Sequence, residues 1–255
     1  MIYFHLWKEG INMNIFTKKF DITFSDIDEN NQLSNKGILR IMQEIAGLHS
    51  STLGYGLNDA PKTGYAWLLL NWKLRVFSRP EWEETLTVNT WNKNMNPLFA
   101  YRDIEILDSN NNLVAVGSSK WILFDINKKS LVKIPTEVKD KFPSVDKSVF
   151  EEKFVEKLKE PENSDFIYEY TIQRRDIDTN HHVNNLSYLD YAYEALPEDV
   201  FTNINFSNVE IMYKHEAKLG DKLSIFYSHT ENNEYIITIK DEERKNLHAI
   251  VKLYN

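Results

Sequence analysis

The 255-residue chain carries 30 lysines and arginines against 38 aspartates and glutamates, a formal net charge of −8, with 42% hydrophobic residues and no cysteine. That balance argues against a general binder of nucleic acid or of anionic membrane, since both need a basic surface against phosphate, and the missing cysteine removes disulfides, a thiol nucleophile and cysteine metal sites. The length suits one large domain or two ordinary ones, and no apolar run approaches the roughly 18 residues of a membrane helix.

The first segment, "MIYFHLWKEGINMNIF", lacks a basic lead, a sustained apolar core and a small-residue cleavage site. A secretory signal is therefore not expected, a cytoplasmic location is, and the segment is either an extension or precedes a translation start at Met13. A strand-like run "FTKKFDITF" follows, then the polar stretch "DIDENNQLSN". Ile38, Ile41, Met42 and Ile45 come next at helix spacing, with Gly54 and Gly56 where a helix would stop. "YAWLLLNWKLRVF", "ETLTVNTW", "AYRDIEIL" and "NLVAVGSSKWILFDI" read as strands. Trp67, Trp72, Trp82, Trp91 and Trp121 are taken with them as mainly core.

A charged segment with three prolines, residues 129–165, reads as a connection with a short helix. Beyond it the order repeats: "FIYEYTIQR", "DIDTNHHVNN", a helix carrying Leu186, Leu189, Tyr193 and Leu196 before Pro197, then "NVEIMYKH", "DKLSIFYSH", "EYIITIK" and "LHAIVKLY". Asp26, Ile27, Asp28, Asn30 and Asn35 recur at an offset of 150 as Asp176, Ile177, Asp178, Asn180 and Asn185, with Leu39 and Leu189, then Glu44 and Glu194, in the same register. Two copies imply a pair of related α+β domains, each a helix on an antiparallel sheet: 1–128, then the linker 129–165, then 166–255. Asn35 and Asn185, or the residues just before them, are candidate helix caps.

The copies differ where proton chemistry matters. Gln32 stands opposite His182 and Asn31 opposite His181, and only histidine titrates near neutrality. If "WEETL" aligns with "LGDKL", at an offset of 137, Glu216 stands opposite Arg79. Asp178 and Asn180 also read as plain turn formers, because Asp28 and Asn30 persist in the copy without histidine. Glu216 also reads as a solvated strand-end charge and His182 as a packed ring. His215-Glu216 begins a zinc-protease pattern that no later histidine completes, so no metal and no cofactor is expected.

The run "RRDIDTNHHVNNLSYLDYAYEALP" followed by "VEIMYKHEA", together with "SKWILFDINKKSLVKIP" and "ETLTVNTWNKN", resembles the acyl-acyl carrier protein thioesterases, and the resemblance covers nearly the whole chain from about Phe20. It implies two tandem hot-dog domains, the first shaping an acyl pocket and the second catalytic. It also implies hydrolysis of a fatty acyl thioester on acyl carrier protein, with Asp178, Asn180, His182 and Glu216 as the catalytic set. Plant members carry a cysteine directly after that glutamate, where this chain has Ala217, which favours attack by water over a thiol mechanism.

On this reading His182 and Glu216 activate the water without a fixed order between them, Asn180 orients water or substrate, and Asp178 holds the loop or the tautomer. Backbone N–H groups from Val183 to Asn185 are expected to be free to polarise the carbonyl. Arg174, Arg175, Lys214 and Lys218 are candidates for receiving the acidic carrier, or the phosphates of coenzyme A. Association of two copies into a homodimer is compatible with the reading; binding of nucleic acid or membrane is not expected. An acyl-CoA thioesterase of the same fold and a non-catalytic acyl-binding module stand as alternatives. A hydratase of the same fold spaces Asn and His by two residues, against the one between Asn180 and His182.

Overall fold

The structure, a computed structural model, describes residues 14–151 and 157–255. The N-terminal extension and the alternative start at Met13 lie outside the described residues. In the first unit, β1 (Phe16–Asp21) and a short 3₁₀ turn lead to α1 (Asn35–Thr52) and α2 (Ala60–Thr63). The strands β2 (Tyr65–Val76), β3 (Thr85–Met95), β4 (Phe99–Leu107) and β5 (Leu113–Asp125) follow. The connection contributes β6 (Ser130–Val132) and α3 (Thr136–Lys139). The second unit comprises β7 (Asp165–Thr171), α4 (Ser187–Tyr193), α5 (Glu198–Asn203), β8 (Asn208–Tyr213), β9 (Lys222–His229), β10 (Tyr235–Asp241) and β11 (Leu247–Tyr254).

All strands join one antiparallel sheet in the order β1-β3-β4-β5-β2-β8-β11-β10-β9-β7, with β6 on β5. Each half repeats the same order from the β2–β8 seam outward. The seam fixes the symmetry: Lys73 pairs with Glu210, Trp72 with Ile211, Leu74 with Val209, Asn71 with Met212 and Arg75 with Asn208. Under the offset of 137, the first of these pairs maps onto itself and the others exchange with one another. The looser of the two sequence alignments is therefore a pseudo-two-fold axis between Lys73 and Glu210. Every residue of β8 is buried, because Val209, Ile211 and Tyr213 face the main core while Met212 packs with Leu158, Leu247 and Ile250 on the other face.

α1 forms because Ile38, Leu39, Ile41, Met42 and Ile45 make one apolar face, all of them fully buried. Each such side chain stabilises by about 1.5–3 kcal/mol on burial, far above any propensity difference. Ser34 caps its start by accepting a bond from the Gly37 N–H, and Gly54, with φ near 78°, follows its end. The second helix is broken: α4 spans seven residues, and Pro197, which cannot continue a helix, precedes α5.

The start differs as well. A Cβ on Gly37 would stand 2.3 Å from the Asp26 carbonyl oxygen, so α1 approaches the motif loop only because glycine is there. The equivalent residue is Ser187, whose Cβ forbids that approach, and α4 begins at Ser187 rather than at Asn185.

Residues 129–151 pack on the first unit. Ile134, Val138 and Phe142 form a cluster with Ala100 and Leu123, and Trp91 Nε1 donates to the Lys147 carbonyl at 3.0 Å. Trp72 and Trp91 are fully buried, as expected of core. Trp82 is not: it is 46% exposed, edge-on to Phe24, because it sits in the turn between β2 and β3 rather than within a strand.

Candidate active site

The two motif loops share one backbone design. In the second, the Asp178 N–H donates to the His182 carbonyl at 2.8 Å, Asp178 Oδ1 accepts from the Asn180 N–H at 2.8 Å, and His181 takes a positive φ of 63°. In the first, Asp28, Gln32, Asn30 and Asn31 do the same, with Asn31 at φ 61°. Aspartate and asparagine suit this because their short side chains bond the nearby backbone and tolerate the left-handed region. Asp178 is thus engaged in shaping its own loop, and the Asn180 amide reaches its other oxygen at 3.4 Å.

Each loop is clipped at its base by a bridge, Ile27–Leu33 or Ile177–Val183, and docked on the turn after its unit's inner strand. The Leu33 N–H donates to the Pro80 carbonyl and the Val183 N–H to the Ala217 carbonyl, both at 2.9 Å. Ala217 is fully buried, so the position serves the backbone. This docking brings His182 and Glu216 together: Nε2 lies 3.1 Å from Glu216 Oε2, with the imidazole 28% and the carboxylate 56% exposed. A ring nitrogen held by a carboxylate is oriented, and an exposed pair has access to water. The side chains of Asp178 and Asn180 do not bond to the imidazole.

Two of the three backbone donors expected to be free are engaged: Val183 N–H by Ala217, and Asn184 N–H by the Asp176 carbonyl at 2.7 Å. The loop closes back on the 3₁₀ turn and on the turn after β8, and so uses those donors itself. The Asn185 N–H alone of the three has no partner among the described residues. The peptide that follows Asn185 is held, since Tyr213 Oη donates to the Asn185 carbonyl at 3.0 Å, and Tyr188 stacks edge-on to Tyr213. Burial, with Glu216 nearby, pushes the Tyr188 hydroxyl above its ordinary value, so it stays protonated. Sequence reading missed both tyrosines. The signal was there: Ile38 and Val76 occupy the equivalent places in the other copy.

The first copy is closed. Arg79, in the place of Glu216, donates to the Leu33 carbonyl at 2.8 Å, to Asn35 Oδ1 at 2.9 Å and to the Phe206 carbonyl of the second unit at 2.8 Å. Asn35 Nδ2 donates to Tyr193 Oη at 2.8 Å and to the Phe206 carbonyl at 2.9 Å. Where one copy has an exposed histidine–glutamate pair, the other has a tie between units.

A second titratable cluster lies inside the first unit. Arg102 Nη1 donates to His49 Nδ1 at 2.8 Å and to Thr90 Oγ1 at 3.0 Å. Because guanidinium only donates, Nδ1 must accept, and His49 is neutral. Burial, then the Arg102 charge, holds its pKa down at about 3. Below pH 6.5 the unfolded chain binds a proton that the folded chain refuses, so stability falls with pH from about 6.5 toward 3. At up to about 1.4 kcal/mol per pH unit, urea unfolding is expected to show about 2 kcal/mol more loss between pH 7 and 5 in the wild type than in His49→Gln. Equal pH dependence in the two would contradict this.

Arg174, Arg175, Lys214 and Lys218 are all exposed around the motif and the Glu216 turn. Among the described residues no three or more histidines, cysteines or carboxylates gather to hold a metal, and no helix is long and apolar enough to cross a membrane.

Comparison with known proteins matches this arrangement from end to end. The families described as acyl-ACP thioesterase N-terminal domain and acyl-ACP thioesterase C-terminal domain match residues 13–142 and 159–252. The chain is similar to the chloroplastic oleoyl-acyl carrier protein thioesterase of Coriandrum sativum, 22% identical over 91% of this chain and 67% of that protein. It is also similar to the palmitoyl-acyl carrier protein thioesterase of Cuphea hookeriana, 26% identical over 80% of this chain and 52% of that one. The chain thus spans between about half and two thirds of these relatives.

Among solved structures, an acyl-ACP thioesterase from Bacteroides thetaiotaomicron superposes with a TM-score of 0.83 at 22% identity, covering 94% of this chain and 97% of that one. The 12:0-ACP thioesterase of Umbellularia californica gives 0.81 at 20% identity, covering 96% and 98%. Both units, their tandem hot-dog fold and the order in which they follow one another make this chain a member of the acyl-ACP thioesterase family.

Proposed function

We propose that the chain hydrolyses the thioester of a fatty acyl group on acyl carrier protein, releasing the free acid and the carrier thiol. The observation that carries this reading is the His182 Nε2 to Glu216 Oε2 contact at 3.1 Å in the one copy of the motif that is not tied shut. The pair takes a proton from a water molecule, whose oxygen attacks the thioester carbonyl carbon. The negative charge that develops on the carbonyl oxygen is met by the N–H of Asn185, the residue whose own carbonyl Tyr213 binds. When the tetrahedral species collapses, the C–S bond breaks, and the proton taken from water passes to the departing sulfur. Asp178 and Asn180 support this by fixing the loop that carries His182. With Ala217 after the glutamate there is no thiol at that place to form an acyl-enzyme.

Four exposed cations, Arg174, Arg175, Lys214 and Lys218, frame the motif in a chain of net charge −8. No carboxylate lies within ion-pair distance of the side chains of Arg174, Lys214 or Lys218 among the described residues, and Arg175 meets Asp176 only at 4.0 Å. Such a patch suits an acidic carrier. Thiol release measured with the same acyl group on carrier protein and on coenzyme A tests this. Lys214→Glu with Lys218→Glu is expected to raise KM for the acyl-carrier substrate about tenfold or more, with kcat little changed and a smaller effect at high salt. An equal effect on both substrates would favour the acyl-CoA reading, and no effect on either would remove the patch from the account.

A further inference from the structure

We infer that two side-chain amides, Gln43 of the first unit and Asn185 of the second, hold the thioester carbonyl oxygen, so that the site is complete only across the junction of the units. The offset of 150 that relates the motif loops carries Asn35 onto Asn185 and Gln43 onto Tyr193. In the closed copy the Asn35 amide bonds Tyr193 across the junction, at 2.8 Å. By the pseudo-two-fold, Gln43 and Asn185 take the corresponding places on the side of His182, where no hydrogen bond joins the two amides among the described residues.

In the closed copy every capacity of the amide is taken: Nδ2 by Tyr193 Oη and the Phe206 carbonyl, Oδ1 by Arg79. In the open copy all three partners have changed. Arg79 becomes Glu216, which is turned to His182; Tyr193 becomes Gln43; and the place of Phe206 falls to Leu69. Phe206 precedes β8 and its carbonyl bonds sideways to the Asn35 amide, whereas Leu69 lies inside β2, opposite Trp121 and next to a shift of register. No main-chain carbonyl bonds the Asn185 side chain among the described residues.

The consequence is on both residues. The Asn185 side chain has no hydrogen-bond partner among the described residues, and Gln43 Oε1 is buried without one. A buried polar atom left unpaired costs about 1–3 kcal/mol, and a primary amide turned about its last bond presents N–H at the same spot. In the closed copy the asparagine amide does bind a carbonyl oxygen, that of Phe206 at 2.9 Å, with Arg79 as the second donor; with arginine replaced by glutamate in the open copy, a turned Gln43 amide is the second donor at hand. In the open copy the carbonyl comes from the substrate, next to the Asn185 N–H and within the reach of the His182–Glu216 pair.

This inference rests on the thioesterase reading, and the experiment separates the two. Steady-state thiol release is measured for the wild type, Gln43→Met and Asn185→Ala, with melting temperatures as a control of folding. Each variant is expected to lose about 10²-fold or more in kcat with KM within a few-fold, as for removal of an oxyanion donor. Binding is measured for two inert analogues, a ketone with CH₂ in place of sulfur and a thioether without the carbonyl. The wild type is expected to prefer the ketone, and both variants to lose that preference. Gln43→Asn, which draws the amide back by one methylene, serves where Gln43→Met does not fold, and is expected to lose the same preference. An active wild type with variants that keep kcat within threefold, or keep the preference, overturns the assignment to Gln43 and Asn185 alone; a wild type that releases no thiol overturns the thioesterase reading itself.

Discussion

Replacing His182 by alanine is expected to lower kcat for thioester hydrolysis by about 10²–10⁴-fold, the range that a positioned acid–base group contributes. Glu216→Ala is expected to lower it to a similar level, and the double variant little further, because two groups that act as a unit are not additive. The reason is the single contact between them, 3.1 Å from Nε2 to Oε2. Loss of the carboxylate leaves the imidazole without its orienting partner, and loss of the imidazole leaves an exposed carboxylate with nothing to relay to. Gln32→Ala is the matched control, since Gln32 holds the equivalent place in the copy that Arg79 closes, and it is expected to change kcat less than twofold. Steady-state thiol release with one acyl substrate checks all four variants. Additive losses in the double variant would mean that the residues act in separate steps.

The second large effect concerns stability and lies in the closed copy. Arg79→Met removes the donor shared by the Leu33 carbonyl, Asn35 Oδ1 and the Phe206 carbonyl. The Phe206 carbonyl keeps the Asn35 amide, but the other two acceptors lose their donor, and at about 1–3 kcal/mol for each buried acceptor left unpaired a loss of about 2 kcal/mol or more is expected in urea unfolding. Arg79→Glu is expected to be worse, although it restores the residue found in the open copy, because it sets a carboxylate against three oxygens. Arg79→Glu at least as stable as Arg79→Met would contradict the role assigned to this tie. The comparison explains why one copy does not simply regain what the other has: its glutamate position now holds the two units together.

Much of the fold was legible because period and repeat report on it directly. The alternation in "ETLTVNTW" and "EYIITIK" became β3 and β10, and the apolar face from Ile38 to Ile45 became α1. The offset of 150 between the motif loops, and of 137 along the strands, anticipated the pseudo-two-fold that the β2–β8 register makes explicit. Trp82 was misplaced because hydrophobicity marks what a residue prefers, not which turn it falls in. The break at Pro197 lay in plain sight, but the late start of α4 depends on Ser187 standing where the first copy has Gly37, and only geometry reveals that Gly37 has no room for a Cβ beside the Asp26 carbonyl.

The site was legible in part for the same kind of reason. Contrast between copies singled out His182 and Glu216, and the structure brings those two side chains into contact. Asp178 and Asn180 form the loop in both copies, so contrast could say little about them, and their side chains are occupied with the loop itself. The backbone donors at Val183 and Asn184 read as free only while the loop was imagined as an isolated helix start; docking on Ala217 and Asp176 consumes them. Gln43 was out of reach because its relation to the site passes through the symmetry of the whole sheet rather than through any local pattern.

Thiol release by the purified wild-type chain, followed across a panel of acyl chain lengths on acyl carrier protein beside His182→Ala, is the measurement closest to the central claim. Turnover of at least one chain length, lost by about 10²-fold or more in His182→Ala, is the result expected. No release at any chain length, or release that His182→Ala leaves at the full rate, would contradict it.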